Sequence, residues 1–440
     1  MPVIERSFAG RRLHFIGVGG CGMSGLAIVA RGLGAEVTGS DVKATIYTES
    51  LLRSGITAAV GHHAGNVPAG ADQVVYSSAV PAANCERQEA RRRGVSELHR
   101  SDLLAEITRL RDTVAVAGAH GKSTTSALLA HVLRGCGLDP SYVVGALLRP
   151  PGAHAVAGSG GALVIEADES DRSLLRYHVK TAVVTNVDLD HVGDGGGYRS
   201  VADVAAVLGE FSSRAGAVVA SAQAAPYLRP YVEHLEVVEP EPVDHAPTWF
   251  RLDGQDYEVT QPGEHQLRNA ALAVRVARRM GCGAEEIRAA LRSFPGLVRR
   301  FEPRGRTAAG ARVFDDYAHH PTEVAAVLRA ARQIAPSGRI LAVFQPHLFS
   351  RTQAFAAEFA EALTGADAAW VEPVYPARED PARWTHVSSQ QVVDAAPSTV
   401  RLAADRAELA ARLRAEAGAD DVIVLIGAGD VGALADQLVT

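Results

Sequence analysis

The chain has 440 residues, of which 47% are hydrophobic and 21% charged, and its formal net charge is −6. This composition is typical of a globular protein and excludes a disordered or fibrous one. The length predicts about three domains. The acidic balance argues against a dedicated nucleic-acid-binding protein, and the lack of an apolar run of about 20 residues argues against membrane insertion.

Short apolar segments alternate with helical segments rich in alanine and arginine, which indicates parallel sheets in α/β domains. The predicted strands cover residues 13–18, 74–77, 113–117, 162–166, 182–185, 339–344, 368–371 and 421–426. Residues 226–263 are richer in proline and β-formers and predict antiparallel strands added to the middle domain. Interruptions near residue 108 and at residues 294–297 predict three domains, over residues 1–108, 109–297 and 298–440.

The first motif is Gly17-x-Gly19-x-x-Gly22, which follows the first strand and opens a helix, with Asp41 further along. Such glycines let the backbone approach a pyrophosphate, and the acid can bind a sugar hydroxyl. The glycines alone do not decide which nucleotide binds. A nicotinamide-dependent oxidoreductase and a glycine turn without a ligand are the alternatives that this motif leaves open.

The cysteines and the N-terminus bear on the compartment. The four cysteines form no C-x-x-C pair, so neither a zinc knuckle nor a disulfide framework is indicated. Arg11 and Arg12 precede an apolar stretch, as in a secretory signal, but glycines interrupt that stretch. We therefore expect a cytoplasmic protein.

The second motif, Gly118-Ala-His-Gly121-Lys122-Ser123-Thr124, lies between a strand and a helix expected to begin near Thr125. Backbone amides of such a loop bind phosphates, the lysine reaches the β- and γ-phosphates, and the hydroxyl binds magnesium. Lys122 is one of only three lysines among 44 basic residues, which suggests that arginine cannot replace it. This loop predicts ATP binding.

The third motif contains four acids, Glu166, Asp168, Glu169 and Asp171, at the end of a strand. Oxygen ligands suit magnesium, so the motif predicts a metal site facing the phosphate loop; a solvated acidic loop is the alternative. The segment 185–191 follows the next strand and ends in His191, a candidate second-metal ligand.

The last third of the chain carries a polar group at 315–323 and another at 344–352, both following strands. Clustered histidines suggest zinc, but neither H-E-x-x-H nor a cysteine is near them. A ligand crevice at the strand ends of an open α/β sheet explains them better.

Taken in order, these motifs resemble the Mur ligases of peptidoglycan synthesis, most closely the alanine-adding branch, over essentially the whole chain. The matching segments are HFIGVGGCGMSGLA at 14–27, GSD at 39–41, SSAVP at 77–81, AGAHGKSTT at 117–125, EADESD at 166–171, TNVDLDH at 185–191, PGEHQLRNAALA at 262–273, FPGLVRRFE at 294–302, DDYAHHPTEV at 315–324, FQPHLFSRT at 344–352 and GAGDVG at 427–432.

The resemblance implies an α/β fold of three domains: an N-terminal Rossmann-like sheet for the UDP-sugar, a central P-loop ATPase-type mononucleotide-binding sheet, and a C-terminal Rossmann-like sheet for the amino acid. It implies that ATP activates the carboxylate of UDP-N-acetylmuramate as an acyl phosphate, which L-alanine attacks to give an amide. ATP and magnesium are the expected cofactors. The expected partners are small molecules, with neither nucleic acid nor membrane insertion, and the expected state is a monomer or homodimer.

The resemblance also assigns residues to each ligand. Those implied for the UDP-sugar are Gly17, Gly19, Gly20, Gly22, Ser24, Ser40, Asp41, Ser77 and Ser78. Those implied for ATP are Gly118, Ala119, His120, Gly121, Lys122, Ser123, Thr124, His265, Asn269, Arg299 and Arg300. Those implied for the amino acid are Tyr317, His319, His347 and Arg351, and those for metal are Ser123, Glu166 and His191. The implied catalytic residues are Lys122, Glu166, His191 and Arg351.

One feature favours the alanine-adding branch. Relatives that add later residues use a carbamoylated lysine after the D-x-x-H segment, whereas here no lysine follows Lys180. A ligase that joins a recycled peptide to the same sugar, and a scaffold without catalytic activity, remain as alternatives.

Overall fold

The computed structural model describes residues 7–149, 152–190, 197–243, 246–403 and 405–440. The chain forms two compact units. The first consists of Met1–Asp188, Ala202–Glu239 and Asn269–Pro295, and the second of Leu189–Val201, Pro240–Arg268 and Gly296–Thr440.

The N-terminal part of the first unit contains a parallel five-stranded sheet with the order β3-β2-β1-β4-β5. Its elements are β1 (Arg12–Ile16), α1 (Cys21–Gly32), β2 (Glu36–Asp41), α2 (Ile46–Arg53), β3 (Ala58–Val60), β4 (Gln73–Tyr76), α3 (Cys85–Arg92), β5 (Ser96–His99) and α4 (Arg100–Thr108). Strand β1 ends before the predicted residue 18 because Gly17 has a φ of 78°. The glycine loop therefore starts at the strand's carboxyl end, where the strand order reverses.

The next part of the chain forms a seven-stranded sheet with the order β12-β11-β10-β6-β9-β7-β8, in which only the β7–β8 pair is antiparallel. Its elements are β6 (Asp112–Ala117), α5 (Lys122–Gly135), β7 (Ser141–Val143), β8 (Ala155–Val156), β9 (Ala162–Glu166), β10 (Thr181–Val184), α6 (Val201–Ser213), β11 (Ala217–Ser221), α7 (Ala225–Leu228) and β12 (Leu235–Val238). Helix α5 begins at Lys122 rather than near Thr125, because the left-handed Gly121 ends the loop immediately before it.

The antiparallel strands predicted within 226–263 are present as β13 (Glu241–Val243), β14 (Ala246–Leu252) and β15 (Gln255–Glu258). They belong to the second compact unit. Helices α8 (Glu264–Arg279) and α9 (Ala284–Arg292) follow them.

The C-terminal sheet has six strands in the order β16-β17-β21-β18-β19-β20, with β16 antiparallel to β17 and the others parallel. Its elements are β16 (Glu302–Arg306), β17 (Arg312–Asp316), α10 (Pro321–Ile334), β18 (Ile340–Phe344), α11 (Phe349–Leu363), β19 (Ala368–Val371), α12 (Gln390–Asp394), β20 (Val400–Leu402), α13 (Arg406–Glu416), β21 (Val422–Ile426) and α14 (Ala435–Leu438).

The central strand β21 shows why the strands of this sheet are apolar throughout. Val422, Val424 and Ile426 pack into the core on one face, and Ile423 and Leu425 into the core on the other. A parallel strand covered by helices on both faces needs apolar residues at every position, so its sequence does not alternate. Within the described residues, no helix combines the length and the apolar character that crossing a bilayer requires.

Candidate active site

The predicted phosphate-binding residues 118–124 form the loop between β6 and α5 and the start of α5. Gly118 and Gly121 have φ angles of 121° and 79°. A Cβ atom at Gly118 would lie 2.3 Å from Oγ1 of Thr185, and one at Gly121 would lie 2.5 Å from Oδ1 of Asn269. Both positions therefore require glycine, and the loop keeps the open backbone that binds phosphate.

Lys122 lies at the end of this loop and forms an ion pair with the buried Glu169. Its Nζ atom donates to two carbonyl oxygens of the loop, at 2.8 and 3.1 Å, and to Oε2 of Glu169 at 3.0 Å. Burial alone would lower the pKa of Lys122, but the carboxylates of Glu169, Asp168 and Glu166 raise it above its ordinary value. The side chain therefore stays positively charged and suits a phosphate group.

The phosphate loop is held by the segment that follows β10. The backbone carbonyl of His120 accepts hydrogen bonds from Oγ1 of Thr185 at 2.6 Å and Nδ2 of Asn186 at 2.8 Å. Oδ1 of Asn186 accepts the backbone N–H of His120 at 2.9 Å, and Nε2 of His120 lies 3.0 Å from Oδ2 of Asp188. Since β10 pairs in parallel with β6, the carboxyl ends of the two strands meet and bring these residues together.

The acidic segment after β9 is not simply a solvated loop. Glu166 ends β9 beside Val116 of β6, and its Oε2 accepts the backbone N–H of Gly145 at 2.8 Å. Glu169 is 1% exposed. Asp171 binds Arg100 at 3.2 Å. The four acids therefore have different surroundings, and only some of them face water.

Two of the three predicted metal ligands lie among the described residues. Ser123 is buried in the first turn of α5, and Glu166 ends the strand next to the one that leads into the phosphate loop. A hydroxyl and a carboxylate are oxygen donors of the kind that magnesium prefers, so these residues fit that ion. The third predicted ligand, His191, lies outside the described residues.

The N-terminal glycine loop is tied to the end of β2. The carbonyl oxygen of Ser40 accepts the backbone N–H groups of Gly17 and Val18 at 2.8 and 2.9 Å. Oδ2 of Asp41 accepts the backbone N–H of Gly19 at 2.8 Å. Asp41, predicted to bind the nucleoside, thus holds the loop with one of its carboxylate oxygens.

The other two predicted glycines lie at the start of α1. Gly20 is the N-terminal capping residue of this helix, and Gly22 lies in its first turn. A Cβ atom at Gly22 would lie 3.3 Å from Nη1 of Arg100. The loop therefore leads into a helix N-terminus, whose free N–H groups favour anions.

The serines predicted for the UDP-sugar occupy different surroundings. Ser24 is fully buried, and its Oγ lies 2.7 Å from Nε2 of His154, so it contributes to packing of α1. Ser78 is exposed and lies 3.1 Å from Nε2 of His99, and Ser77 is half-buried. Only the latter two have a side chain accessible to a ligand.

In the second unit, two predicted ATP residues flank a residue predicted for the amino acid. The guanidinium groups of Arg299 and Arg300 lie 5.0 and 5.4 Å from the ring centroid of Tyr317. Arg299 also donates to the carbonyl of Gly427, and Arg300 lies 3.9 Å from Oε1 of Glu323. These contacts place a positive, aromatic surface at the carboxyl end of β17.

The other residues predicted for the amino acid lie close by. The rings of His319 and His347 are 6.1 Å apart, and burial lowers the pKa of each to about 4, so both are neutral at pH 7. Arg351 binds Oδ1 of Asp190 at 2.6 Å, and both residues are almost fully buried. Nε of Arg351 and Nδ1 of His347 are buried without a hydrogen-bond partner among the described residues. Such orphaned polar atoms are expected where a polar ligand binds.

His265 and Asn269 lie one turn apart on α8. Asn269 is buried, and its side chain occupies the space beside Gly121. His265 is half-buried, and burial, with the charge of Arg329, lowers its pKa to about 4. It is therefore a neutral hydrogen-bonding group at pH 7.

Comparisons with known proteins decide the family. Residues 12–112 match the description "Mur ligase family, catalytic domain", and residues 299–429 match "Mur ligase, glutamate ligase domain". The UDP-N-acetylmuramate–L-alanine ligase of Renibacterium salmoninarum is 41% identical, covering 98% of this chain and 96% of that protein. The chain belongs to the Mur ligase family.

Further relatives agree across nearly the full length of this Mur ligase. The enzyme of the same name from Mycobacterium tuberculosis is 38% identical over 98% of this chain and 94% of its own length. The crystal structure of UDP-N-acetylmuramate–alanine ligase from Thermotoga maritima superposes with a TM-score of 0.80 and 25% identity, covering 97% of each chain. The expected α/β Mur ligase fold is thereby confirmed.

Several residues of this Mur ligase have partners at the site that the sequence did not predict, including Glu169, which the sequence placed among the acids of a metal site. Glu169, Asn186 and Asp188 surround the phosphate loop, and Asp190 binds Arg351. The sequence did mark these positions, since all four residues lie in polar segments directly after apolar strands. What the sequence did not show was which partner each would meet.

Proposed function

We propose that this Mur ligase joins L-alanine to the carboxylate of UDP-N-acetylmuramate, with conversion of ATP to ADP and phosphate, in peptidoglycan synthesis. The curated relatives named for this reaction match it over nearly their whole length. The observation that carries the proposal is the charged Lys122, bound to Glu169 at a phosphate loop with two glycines that cannot be replaced. A ligase that transfers a phosphoryl group needs such a cation.

The reaction follows from these groups. A carboxylate oxygen of the sugar attacks the γ-phosphorus of ATP, and ADP leaves as the acyl phosphate forms. The amino group of L-alanine then attacks the acyl carbon, phosphate leaves, and the amide remains after the nitrogen loses a proton. Lys122 and the loop N–H groups stabilise the charge on the transferring phosphoryl oxygens.

Binding of the amino acid is assigned to the second unit. Arg351 would pair with the carboxylate of L-alanine through its free Nε–H, while Asp190 holds the other end of its guanidinium group. The rings of His319 and His347 are neutral at pH 7, so they do not compete with Arg351 for the carboxylate of the amino acid. Tyr317 completes this group beside Arg299 and Arg300, which are assigned to the nucleotide phosphates.

The remaining assignments follow the three predicted domains. Residues 1–108 would bind the UDP-sugar at the glycine loop, residues 109–297 ATP, and residues 298–440 the amino acid. His265 and Asn269 would lie near the adenine. The reaction is assigned to the cytoplasm, where ATP and nucleotide sugars are made.

Magnesium is assigned to Ser123 and Glu166, with His191 as a ligand of a second ion. When bound, the metal would neutralise charge on the ATP phosphates. The protein's own part is to supply oxygen donors at the ends of β9 and of the phosphate loop.

The test is phosphate release from the purified protein with Mg-ATP and UDP-N-acetylmuramate, with and without L-alanine, glycine, L-serine or a cell-wall peptide. Release that requires both the sugar and L-alanine supports the proposal. Release with the peptide but not with L-alanine would assign the protein to peptide recycling. No release with any acceptor would indicate an inactive scaffold, and NAD titration would then test the oxidoreductase alternative.

A further inference from the structure

Helix α3, which follows β4 of the N-terminal sheet, carries a buried carboxylate that the proposed reaction does not use. Glu86, in the first turn of α3, is 0% exposed. Its Oε2 accepts hydrogen bonds from Nε2 of His14 at 3.0 Å and from Oγ of Ser40 at 2.6 Å. A buried carboxylate is costly unless hydrogen bonds compensate the lost water, so its retention calls for a reason.

The second carboxylate oxygen is used as fully as the first. Oε1 of Glu86 lies 3.2 Å from Nδ1 of His62, 3.1 Å from the backbone N of His63 and 2.8 Å from Nδ2 of Asn66. Burial by itself would raise the pKa of Glu86, but the hydrogen bonds from His14, Ser40 and Asn66 outweigh it and lower the pKa to about 2. The group is therefore an anion surrounded by donors from three separate parts of the chain.

One path leads from Glu86 to the first residues of the glycine loop. The side chain of Ser40 donates a hydrogen bond to Glu86. The backbone carbonyl of the same serine accepts hydrogen bonds from the N–H groups of Gly17 and Val18 at 2.8 and 2.9 Å. Glu86 thus fixes the position of Ser40, whose carbonyl holds the first residues of the glycine loop. The hydroxyl of Ser40, assigned to the ligand from the sequence, is already engaged by this carboxylate.

A second path reaches the middle of the loop. Nδ2 of Asn66, which donates to Glu86, also lies 2.9 Å from the carbonyl of Gly61. The N–H of Gly61 donates to the carbonyl of Asp41 at 2.7 Å, and Oδ2 of Asp41 accepts Gly19 N–H at 2.8 Å. Both paths end on backbone groups of the loop and start at one carboxylate.

We infer that Glu86 is a positioning residue for the nucleotide sugar, because its carboxylate fixes the strand end and the turn that hold the glycine loop. This inference rests on the proposed function, which assigns the loop to UDP-N-acetylmuramate. Glu86 acts through Ser40 and Asn66 and does not touch the ligand. Its loss therefore weakens sugar binding without altering the phosphate loop.

The test is Glu86→Gln, which preserves side-chain volume but turns an –NH2 group toward donors whichever way the amide lies. We expect the Kd and KM for UDP-N-acetylmuramate to rise by about tenfold, as for an unsatisfied buried polar group. The KM values for ATP and L-alanine, and kcat at saturating sugar, are expected to stay within about twofold of the original enzyme. Calorimetric titration of the sugar gives the Kd independently of turnover.

The matched control is Glu97→Gln. Glu97 lies in β5 of the N-terminal sheet and accepts hydrogen bonds from Nε of Arg87 and of Arg91 at 2.5 and 2.6 Å, with no bond to the glycine loop. It is expected to leave the sugar Kd unchanged. Equal losses toward all three substrates in Glu86→Gln, or an unchanged sugar Kd in the folded variant, would show a role in folding alone and overturn the inference.

Two further variants cover the case in which Glu86→Gln does not fold. Ser40→Ala interrupts one path and Asn66→Ala the other, so each is expected to raise the sugar Kd by a smaller factor. Unchanged sugar Kd values in both would contradict the inference. An unmodified protein that binds the sugar but forms no amide would refute the proposed function alone, whereas one that binds no sugar would refute both.

Discussion

Nζ of Lys122 lies 3.0 Å from Oε2 of Glu169, and the two side chains are 11% and 2% exposed. The pair joins the phosphate loop to the acidic segment after β9. Because charges in a site with little water interact strongly, the carboxylate fixes both the position and the charge of the ammonium group. Catalysis of phosphoryl transfer depends on such fixed charges.

Lys122→Ala is expected to abolish turnover while leaving the Kd for UDP-N-acetylmuramate nearly unchanged, because the sugar loop lies on a different sheet. Phosphate release and calorimetric titration measure the two effects. Lys180→Ala is the matched control, since Lys180 is exposed, pairs with Asp112 at 2.5 Å and has no assigned role. A loss of sugar affinity as large as the loss of turnover would refute the assignment of Lys122.

Glu169→Gln tests the pair itself. It removes the negative charge but keeps the shape, so Lys122 loses its charged partner and its fixed position. We expect kcat to fall by about 10- to 100-fold, the size typical of losing a charged hydrogen bond, with the sugar Kd unchanged. Unaltered kcat would mean that the loop carbonyls alone suffice to hold the lysine.

Gly121→Ala is expected to abolish ATP binding, because φ is 79° and the added Cβ would lie 2.5 Å from Oδ1 of Asn269. Gly137→Ala separates the effect of the positive φ from that of the steric clash. Gly137 has a φ of 78° but no atom within 4 Å of an added Cβ, so it is expected to lose only about 1 kcal/mol of stability and to bind ATP normally. ATP titration and thermal unfolding of both variants provide the comparison.

Arg351→Lys tests recognition of the amino acid. Lysine keeps the charge but lacks the fork that contacts Asp190 and a second carboxylate together, so the KM for L-alanine is expected to rise by about tenfold or more. The KM values for ATP and sugar are expected to change little. Arg339→Lys is the control, because Arg339 also binds a carboxylate, that of Asp421 at 2.7 Å, in the same unit. An unchanged KM for L-alanine would assign its carboxylate to another residue.

The pKa of Glu86 predicts how stability varies with pH. Its folded pKa of about 2 lies below the ordinary value of 4.5, so its contribution is fully present above pH 4.5 and is lost as the pH falls toward 2. The difference in unfolding free energy between the original protein and Glu86→Gln is therefore expected to shrink as the pH falls below about 4.5. Denaturant unfolding at each pH measures it, and a difference independent of pH down to 3 would contradict the folded pKa.

The sequence alone determined the α/β class, the predicted strands and the two glycine loops. These features depend on neighbours along the chain: an apolar run that must be buried on both faces, and glycines between a strand and a helix. Boundaries differed where local conformation intervened, as at Gly17, whose positive φ ends β1, and at Lys122, which starts α5 directly after Gly121.

Only the tertiary structure decided which polar side chains meet. Ser40 and Glu86 are 46 positions apart, Lys122 and Glu169 are 47 apart, and Asp190 and Arg351 are 161 apart. The first two pairs meet because the order of parallel strands brings distant loops to one edge of a sheet, and strand order is not encoded in local periodicity. Asp190 and Arg351 meet because residues 189–201 belong to the same compact unit as the C-terminal sheet. Ser40 and Asp41, which the sequence assigned to the ligand, turned out to hold the loop through groups that become partners only once the strands are paired.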